Sequence, residues 1–466
     1  MEWIDAATAA ERLGVKPATL YAYVSRGVLR RRHGEDGRRS FFDAAEVEQL
    51  ARRGRPRNPP PELVIESAIT ALGVDRPYYR GIDALDLARR SPFEAVAAWL
   101  WDVEEEDALP PWHGDPQGIR AAAEAQRGLP ERLLPLDRFQ VITTVLGATD
   151  SLRYQLDPAS VAATGRRLIA GLVDALPAQP TVDAPATRLG RGAQEISAVG
   201  SAAASDEPLP GGGSSGGGGS SGGGGSSGGG GSSGGGGSSG GGGVPGGSGG
   251  GLPSGGSIAA RLWGRLTPRV PDPALLSALQ AALVLLADHE LAASTLAARV
   301  AASAKADPYA VVLTALGVLG GPLHGGASYG AERLLAEVAE PSHASRVITE
   351  RVRRGERIPG FGHSVYKNGD SRATVLFEIL TRAAPGHPAL DVAQAVRKEL
   401  RRRRLPDPNI DFALATLTSL SGMVPGAGEA IFAVARTAGW LAHAMEEYAK
   451  GTLLRPRASY IGPPPR

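Results

Sequence analysis

The chain has 466 residues, enough for two or three domains, and its formal net charge of +2 indicates no particular charged partner. It contains no cysteine, which excludes disulfides, thiolate metal sites and cysteine nucleophiles. The N-terminal residues lack a basic segment followed by an apolar core, and no apolar run approaches a membrane-spanning length. We therefore expect a soluble, cytoplasmic protein that does not associate with membranes.

Residues 1–57 are predicted to form a small separate domain. Ala6–Leu13 and Pro17–Ser25 have the pattern of short helices. Residues 38–42 are expected to return as a strand, and Asp43 is expected to cap a final helix. This order resembles the winged helix-turn-helix of MerR-type and excisionase-type proteins. The resemblance implies DNA binding, and twelve Lys or Arg against eight Asp or Glu give the segment a local charge of +4. The other interpretation is a protein-docking module with a solvated basic face.

In the DNA-binding interpretation, the second helix lies in a groove and the arginine cluster contacts phosphates. The residues expected at the DNA are Lys16, Thr19, Tyr21, Tyr23, Arg30, Arg31, Arg38 and Arg39. Two such domains in a dimer would suit two half-sites.

After a Pro-rich linker at residues 52–61, the chain is predicted to be mainly helical. Pro92 and Glu94 fit a first helical turn, the apolar run at residues 95–101 is expected to face a core, and two more helical patterns lie within residues 136–176. Further helical patterns follow one another from residue 258 to residue 453.

A Gly/Ser repeat interrupts the helical patterns at residues 211–243, and its Gly-rich flanks extend to about residue 257. A segment of this composition buries no apolar surface, so we expect it to be disordered. By composition alone it has the appearance of a boundary between two domains.

Three segments after this repeat place reactive side chains where Gly- or Pro-rich loops meet apolar sequence. They are residues 321–327, 359–373 and 408–412, which contain His324, His363 and Asp411. Glycine neighbours leave room for a ligand to approach the backbone closely. One carboxylate and two imidazoles can take a proton from carbon and polarise a carbonyl. A single histidine on an apolar face is more often structural, but three such segments together favour a catalytic site.

These segments resemble the citrate synthase family, as do Ala-Asp-His-Glu at 287–290, Ala-Arg-Thr-Ala-Gly-Trp at 435–440 and Leu-Arg-Pro-Arg at 454–457. All six occur in the family's order. The resemblance covers residues 62–466 apart from about 198–257, which makes the Gly/Ser-rich segment a surface insertion within one enzyme domain. It implies an all-α fold with a large and a small helical domain, the small one at about residues 328–425, and an active site in the cleft between them.

The resemblance also implies the chemistry. Asp411 is the base that removes a proton from the methyl group of a thioester, and burial is expected to raise its proton affinity. His324 donates to the thioester oxygen as a neutral imidazole, because the positive end of the following helix disfavours its charged form. His363 polarises and protonates the ketone of the second substrate.

The second substrate that the family implies is oxaloacetate, whose two carboxylates suit arginine forks. The residues that the resemblance places around it are His289, Arg372, Arg436 and Arg455. Arg455 is implied to reach the neighbouring subunit's site, which requires a homodimer. The phosphates of coenzyme A are assigned to Arg402, Arg404 and Arg357, although a run such as residues 401–404 is usually a solvated surface. No metal and no tightly bound cofactor is implied.

Three functions therefore remain open: a synthase that condenses acetyl-CoA with oxaloacetate to citrate, a 2-methylcitrate synthase that uses propionyl-CoA, and a DNA-binding regulator whose synthase-like body senses a ligand. Two departures from the family pattern bear on the site. Ser371 stands where the family commonly has proline, which is expected to loosen the placement of Arg372, and Phe-Ala-Leu-Ala follows Asp411.

Overall fold

A computed structural model describes residues 3–13, 15, 17–25, 27–34, 40–47, 50, 64–103, 111–180, 256–367, 369–458, 460 and 462. The chain divides into two compact units, one of residues 1–66 with 456–466 and one of residues 67–455. Lys16, Arg38, Arg39 and residues 198–255 of the predicted insertion lie outside the described residues.

The first unit contains two helices and a small antiparallel sheet. Its elements are β1 (Trp3–Asp5), α1 (Ala6–Leu13), α2 (Pro17–Ser25), β2 (Arg31–His33) and β3 (Ser40–Asp43). The strand order is β1-β3-β2, with Trp3 opposite Asp43 and Arg31 opposite Phe42. Both helices and the returning strand agree with the predictions, whereas β1 was not predicted. Asp43 accepts the backbone N–H of Ala45 at 2.9 Å, at the start of the helical residues 44–47.

The second unit opens with a small three-stranded antiparallel sheet that the sequence did not indicate. Its strands are β4 (Thr70–Leu72), β5 (Pro77–Tyr79) and β6 (Ile82–Asp83). Arg80 and Gly81 form the turn between β5 and β6 with φ angles of 45° and 84°. Positive φ at two successive turn positions suits the twist of an antiparallel hairpin, and glycine adopts it without a steric penalty. Among the described residues of this unit, everything else that is regular is helical.

The helices of the second unit, in chain order, are α3 (Ala84–Arg90), α4 (Phe93–Trp101), α5 (Pro116–Ala125), α6 (Pro135–Thr149), α7 (Pro158–Ala175), α8 (Ile258–Leu266), α9 (Pro273–Leu286), α10 (Ala293–Ser303), α11 (Pro308–Leu319), α12 (Gly326–Val338), α13 (Ala344–Arg353), α14 (Ser371–Ala383), α15 (Pro388–Arg402), α16 (Ile410–Ser421) and α17 (Ala427–Lys450). Four of them begin with an Asp-Pro pair, at Asp115, Asp157, Asp272 and Asp307. The aspartate accepts backbone N–H groups of the first turn, and proline has no N–H that would be left unpaired there.

Helix α17 lies at the centre of the second unit. It packs against α4, α7, α9, α10 and α11, and almost every residue from Ala427 to Ala444 is buried. A helix that is buried on all sides offers its polar residues only to other protein groups or to an enclosed site. The predicted helices of this part of the chain agree with the structure, with ends that differ by a few residues. Among the described residues, the structure contains no helix long and apolar enough to cross a membrane.

Helices α7 and α8 flank the Gly/Ser-rich segment in the chain and lie in contact. Arg261 forms an ion pair with Asp174 at 2.8 Å, and the backbone N–H of Gln179 donates to the carbonyl of Gly264 at 3.3 Å. Both helices belong to the same compact unit.

Candidate active site

The loops that carry His363 and Asp411 are paired directly with each other. The backbone N–H of Gly362 donates to the carbonyl of Asp407 at 2.9 Å, and that of Asn409 donates to Gly360 at 2.9 Å. The Asn409 side chain caps α16 by accepting the N–H of Asp411 at 3.0 Å. The chain therefore brings two separate predicted segments to one place.

His324 lies in the loop before α12. Its Nε2 is 2.7 Å from Ser294 Oγ, and this oxygen also accepts the indole N–H of Trp440 at 3.2 Å. The contact with Trp440 leaves the hydroxyl proton of Ser294 free to donate to Nε2, and when it does so a neutral His324 carries its ring proton on Nδ1. Burial, and then the positive charge of Arg436, lower the pKa of His324 to about 4. The imidazole is therefore neutral at pH 7.

Asp411 occupies the first turn of α16. Its Oδ1 accepts the hydroxyl proton of Ser328 at 2.6 Å. Burial raises the pKa of Asp411 to about 6, although Ser328 and the charge of Arg372 act in the opposite direction. A carboxylate with this pKa is ionised at neutral pH and has a higher proton affinity than an exposed aspartate, which suits a general base.

His363 uses Nδ1 to hold its own loop. The backbone N–H groups of Val365 and Tyr366 point at Nδ1 from 3.1 and 3.2 Å. Burial, followed by the charge of Arg372, lowers the pKa of His363 to about 4. A neutral ring that accepts at Nδ1 carries its proton on Nε2, so this nitrogen is the one that can donate to a substrate oxygen.

His289 lies beside His363. The two ring centroids are 5.4 Å apart, and His289 Nε2 is 2.9 Å from the hydroxyl of Tyr366. Burial and the charges of Arg372 and Arg436 hold the pKa of His289 well below its ordinary value. The site therefore contains three imidazoles that are neutral at pH 7.

Arg372 is fixed by its neighbour Asp370. Both side chains are buried, and Nε and Nη2 of Arg372 each donate to a separate oxygen of Asp370 at 2.9 Å. Nη2 of Arg372 also lies 3.4 Å from His363 Nε2. Ser371 binds Asp75 through its hydroxyl at 2.6 Å. The serine that departs from the family pattern thus has a partner of its own, and Arg372 is held in place rather than loosened.

Arg436 is the least satisfied charge at the site. Only 1% of its surface is exposed, its Nε donates to the carbonyl of Leu286 at 2.8 Å, and its two terminal nitrogens have no hydrogen-bond partner among the described residues. The guanidinium lies 4.6 Å from the centre of the Phe432 ring, and the centres of the Phe432 and His324 rings are 6.0 Å apart. Two buried donors without acceptors point to an anionic ligand.

The other predicted ligands of substrate and coenzyme lie at the surface. Arg455, Arg404 and Arg357 are exposed. Arg402 is exposed as well, and its guanidinium donates through two nitrogens to Glu399 at 2.8 and 2.9 Å. The structure therefore does not bring these four arginines into the cluster around Asp411.

The sequence analysis missed several residues of the site. Ser328, Asp370 and Tyr366 lie within or next to the three reactive segments, but no spacing rule identifies their partners. Glu429 is only 5% exposed, and burial together with the charges of Glu332, Asp137 and Asp411 raises its pKa to about 7. In the sequence, Glu429 could have been recognised as a candidate only because it is an acidic residue within an otherwise apolar stretch.

In the first unit, the predicted DNA-binding residues that the structure describes differ in what they contact. Tyr21 is exposed and lies 5.3 Å from the Arg31 guanidinium, which also contacts His33. Thr19 and Tyr23 are half-buried. Arg30 instead donates to Glu46 at 2.6 Å and to Asp43 at 3.0 Å.

The part of the chain that the structure describes contains no group of three or more His, Asp or Glu side chains placed to hold a metal ion.

The chain is similar to known proteins in sequence and in fold. Residues 249–457 match the family model for the citrate synthase C-terminal domain. The chain is 40% identical over 196 residues to citrate synthase 2 of Bacillus subtilis, which is 41% of this chain and 53% of that protein. It is 36% identical over 196 residues to a 2-methylcitrate synthase of Mycobacterium tuberculosis, 41% of this chain and 50% of that protein. The chain thus spans about half the length of the curated relatives it matches.

Among solved structures, a similar one is the citrate synthase of Thermoplasma acidophilum in a ternary complex with carboxymethyl coenzyme A and oxaloacetate. The TM-score is 0.59 with 21% identity, over 87% of this chain and 96% of that chain. At this identity the likeness shows the fold alone, and it extends beyond the segment matched in sequence. Residues 249–457 are therefore similar in sequence to the C-terminal domain of citrate synthases, and the fold is similar to that of a citrate synthase.

Proposed function

We propose that the protein condenses an acyl-CoA with oxaloacetate and hydrolyses the product thioester. The observation that carries the proposal is the buried guanidinium of Arg436, whose unpartnered nitrogens belong to the same cluster as three neutral imidazoles and a carboxylate of pKa about 6. A cation without an acceptor suits an acidic substrate, and the neutral rings suit proton donation to developing oxyanions.

In this proposal the keto acid binds between Arg436, Arg372 and His289. Arg436 supplies two free donors to one carboxylate, and Arg372 is already oriented by Asp370, so its remaining nitrogen needs no reorganisation on binding. His363 Nε2 lies 3.4 Å from Arg372, which supports a role for His363 as donor to the ketone beside the carboxylate contact.

The reaction begins when Asp411 takes a proton from the carbon next to the thioester carbonyl. The electrons of the broken C–H bond form an enolate, whose oxygen accepts a hydrogen bond from Nδ1–H of His324. The enolate carbon then attacks the ketone carbon, and the ketone oxygen takes the proton of His363 Nε2. Water next adds to the thioester carbonyl, the C–S bond breaks and the sulfur leaves as the thiol of coenzyme A, while the proton gained at Asp411 replaces, through solvent, the one lost at His363.

The acyl group is the open point of this proposal. Acetyl-CoA would give citrate and propionyl-CoA would give 2-methylcitrate, and the relatives include proteins named for each activity. One methylene changes binding in an apolar pocket by about 1–3 kcal/mol, so both thioesters belong in the assay. Arg357 and Arg404 are the exposed candidates for the coenzyme phosphates, whereas Arg402 would have to leave Glu399.

The test is release of free coenzyme A thiol from each thioester with oxaloacetate. The chain has no cysteine, so a thiol reagent reports the product without a protein background. We expect Asp411→Asn to lower kcat by roughly 100-fold or more, because the general base is lost. The matched control is Asp391→Asn, an exposed aspartate on α15. Folded protein without turnover of either thioester would overturn the proposal.

We further propose a homodimer in which Arg455 completes the neighbouring site. Its exposure at the end of the second unit leaves it available to a second copy. Asp411→Asn and Arg455→Ala are each expected to be nearly inactive. Mixed subunits would then regain turnover, since the site with an intact Asp411 receives Arg455 from the other chain. A mixture that stays as inactive as its parents, although the subunits exchange, would contradict this arrangement.

DNA binding by the first unit is a separate proposal, which keeps open a regulator whose synthase-like body senses a ligand. It is supported by the exposed pair of Tyr21 and Arg31, and by Arg32, whose guanidinium lies 5.6 Å from the Trp3 ring. We expect duplex DNA to bind with an affinity that falls steeply with salt, and Arg31→Ala to weaken it relative to Arg127→Ala, an exposed arginine of the other unit. The same affinity in both variants would contradict the proposal.

A further inference from the structure

The short turn that carries His289 has a strained backbone. Glu290 follows His289 with a φ of 54°, a left-handed conformation that non-glycine residues adopt at a cost. Its backbone N–H donates to Oδ2 of Asp288 at 3.0 Å. From the other side, the hydroxyl of Tyr79 lies 3.1 Å from the carbonyl of Asp288. The position of His289 therefore depends on the carboxylate and backbone of the residue before it.

Asp288 has one buried side-chain partner on α17. Its carboxylate is fully buried, and Oδ2 lies 3.4 Å from Nε2 of His443. Burial alone would favour the neutral acid, but His443 and Arg436 hold the pKa of Asp288 below its ordinary value. The carboxylate is therefore charged, and it contributes to holding the cation of Arg436 at the site.

The ring of His443 is oriented by a third group. Arg299 on α10 is fully buried, and its Nη1 donates to Nδ1 of His443 at 2.7 Å. Arg299 has no acceptor lone pair, so Nδ1 must be the acceptor, and a neutral His443 carries its proton on Nε2, towards Asp288. Arg299 is itself fixed by Glu446 at 2.6 Å and by Glu447 at 2.8 Å.

We propose that His443 is a positioning residue for the keto-acid site, which transmits the orientation set by Arg299 to Asp288 and hence to His289 and Arg436. This inference rests on the proposed function. It adds to the proposed substrate contacts a buried row of three residues, Arg299, His443 and Asp288, which do not touch substrate. Arg299, His443 and Asp288 come from α10, α17 and the turn after α9, so the row links three elements behind the site. Its role is to fix the strained turn in one arrangement.

The experiment compares His443→Leu with His443→Gln. Leucine removes both the acceptor for Arg299 and the donor to Asp288, whereas glutamine retains an amide oxygen and an amide N–H. In His443→Leu we expect KM for oxaloacetate to rise roughly 10–100-fold, while kcat stays within about threefold of the wild-type value. In His443→Gln we expect KM to return most of the way to the wild-type value. The matched control for the histidine-to-glutamine change is His343→Gln, at an exposed position.

Two readouts separate this inference from the proposed function. Calorimetric binding of oxaloacetate measures the site without turnover, and nitrogen-15 histidine spectra report which ring nitrogen of His443 is protonated. A wild type that neither binds nor turns over substrate refutes the proposed function, while the spectra still test the tautomer. A protonated Nδ1, an unchanged KM in folded His443→Leu, or a His443→Gln variant as impaired as the leucine variant would each overturn the inference.

Discussion

Ser328 and Asp411 form the shortest side-chain contact of the proposed base, with the serine hydroxyl donating to Oδ1 at 2.6 Å. The two residues come from α12 and α16. Burial raises the proton affinity of Asp411, and this hydrogen bond lowers it again. The balance leaves a base that is ionised at pH 7 and still accepts a proton readily.

Replacing Ser328 is expected to shift the pH profile of the reaction. Activity requires ionised Asp411, so kcat/KM should fall as the pH drops through about 6. Ser328→Ala removes a hydrogen bond to the charged form, which should move this midpoint upward by roughly one pH unit. Ser277→Ala is the control, because its hydroxyl binds only its own helix, at Pro273. A midpoint that does not move, or moves downward, would refute the role of Ser328.

Glu429 is expected to make the folded state less stable as the pH rises. Its pKa is raised from 4.5 to about 7, so the folded state holds a proton that the unfolded state has lost. The stabilisation from that proton is present below about pH 4.5 and disappears as the pH rises through about 7, at most about 3 kcal/mol. Glu429→Gln should therefore gain stability over wild type at pH 8 but not at pH 4.5. Denaturant titrations at both pH values measure the difference, and a gain independent of pH would count against the shift.

Arg436 should matter more for binding than for stability. Arg436→Met removes a buried cation with two nitrogens that have no partner among the described residues, but it also removes a positive charge that lowers the pKa of Asp288, so we expect the melting temperature of the free protein to change little. The same change should raise KM for oxaloacetate roughly 10–100-fold, because a charged contact is lost. Oxaloacetate should also raise the melting temperature of wild type more than that of the variant. A free variant that melts well below wild type would show that Arg436 is structural.

Two glycines should respond in opposite ways to alanine. A Cβ on Gly439 would lie 2.3 Å from Oδ1 of Asp288 and 2.5 Å from the carbonyl of Ala287, so the turn before His289 would have to move. We expect Gly439→Ala to lose at least about 2 kcal/mol of stability and to raise KM. Gly317 on α11 is exposed and has nothing within 4 Å of the added carbon. Gly317→Ala should stabilise by about 0.5–1 kcal/mol, and denaturant titration of both variants checks the pair.

The sequence indicated most of the helices and the side chains of the site, because both have local signals. Asp-Pro pairs begin four helices, and the loops at His324 and His363 are rich in glycine. The predicted roles of these side chains rest on resemblance and stay predictions. The assignment of Arg402 to coenzyme phosphates did not foresee its pairing with Glu399 three residues earlier, although that spacing is common on helices.

What the sequence could not indicate depends on contacts between distant residues. Arg299 meets Glu447 across 148 positions, and Ser371 meets Asp75 across 296. No periodicity identifies such partners, since they depend on how the helices pack. The strands β4, β5 and β6 were missed for another reason, because two or three residues are too few to show alternation.

The contact between α7 and α8 suggests that the second unit does not need an unbroken backbone. The Arg261–Asp174 ion pair and the bond from Gln179 to Gly264 join the two sides of the Gly/Ser-rich segment without using it. Two polypeptides divided within that segment and co-expressed should therefore reassociate, with both halves held by the interface around α17. A reporter domain placed at the same position would leave the chemistry of Asp411 undisturbed.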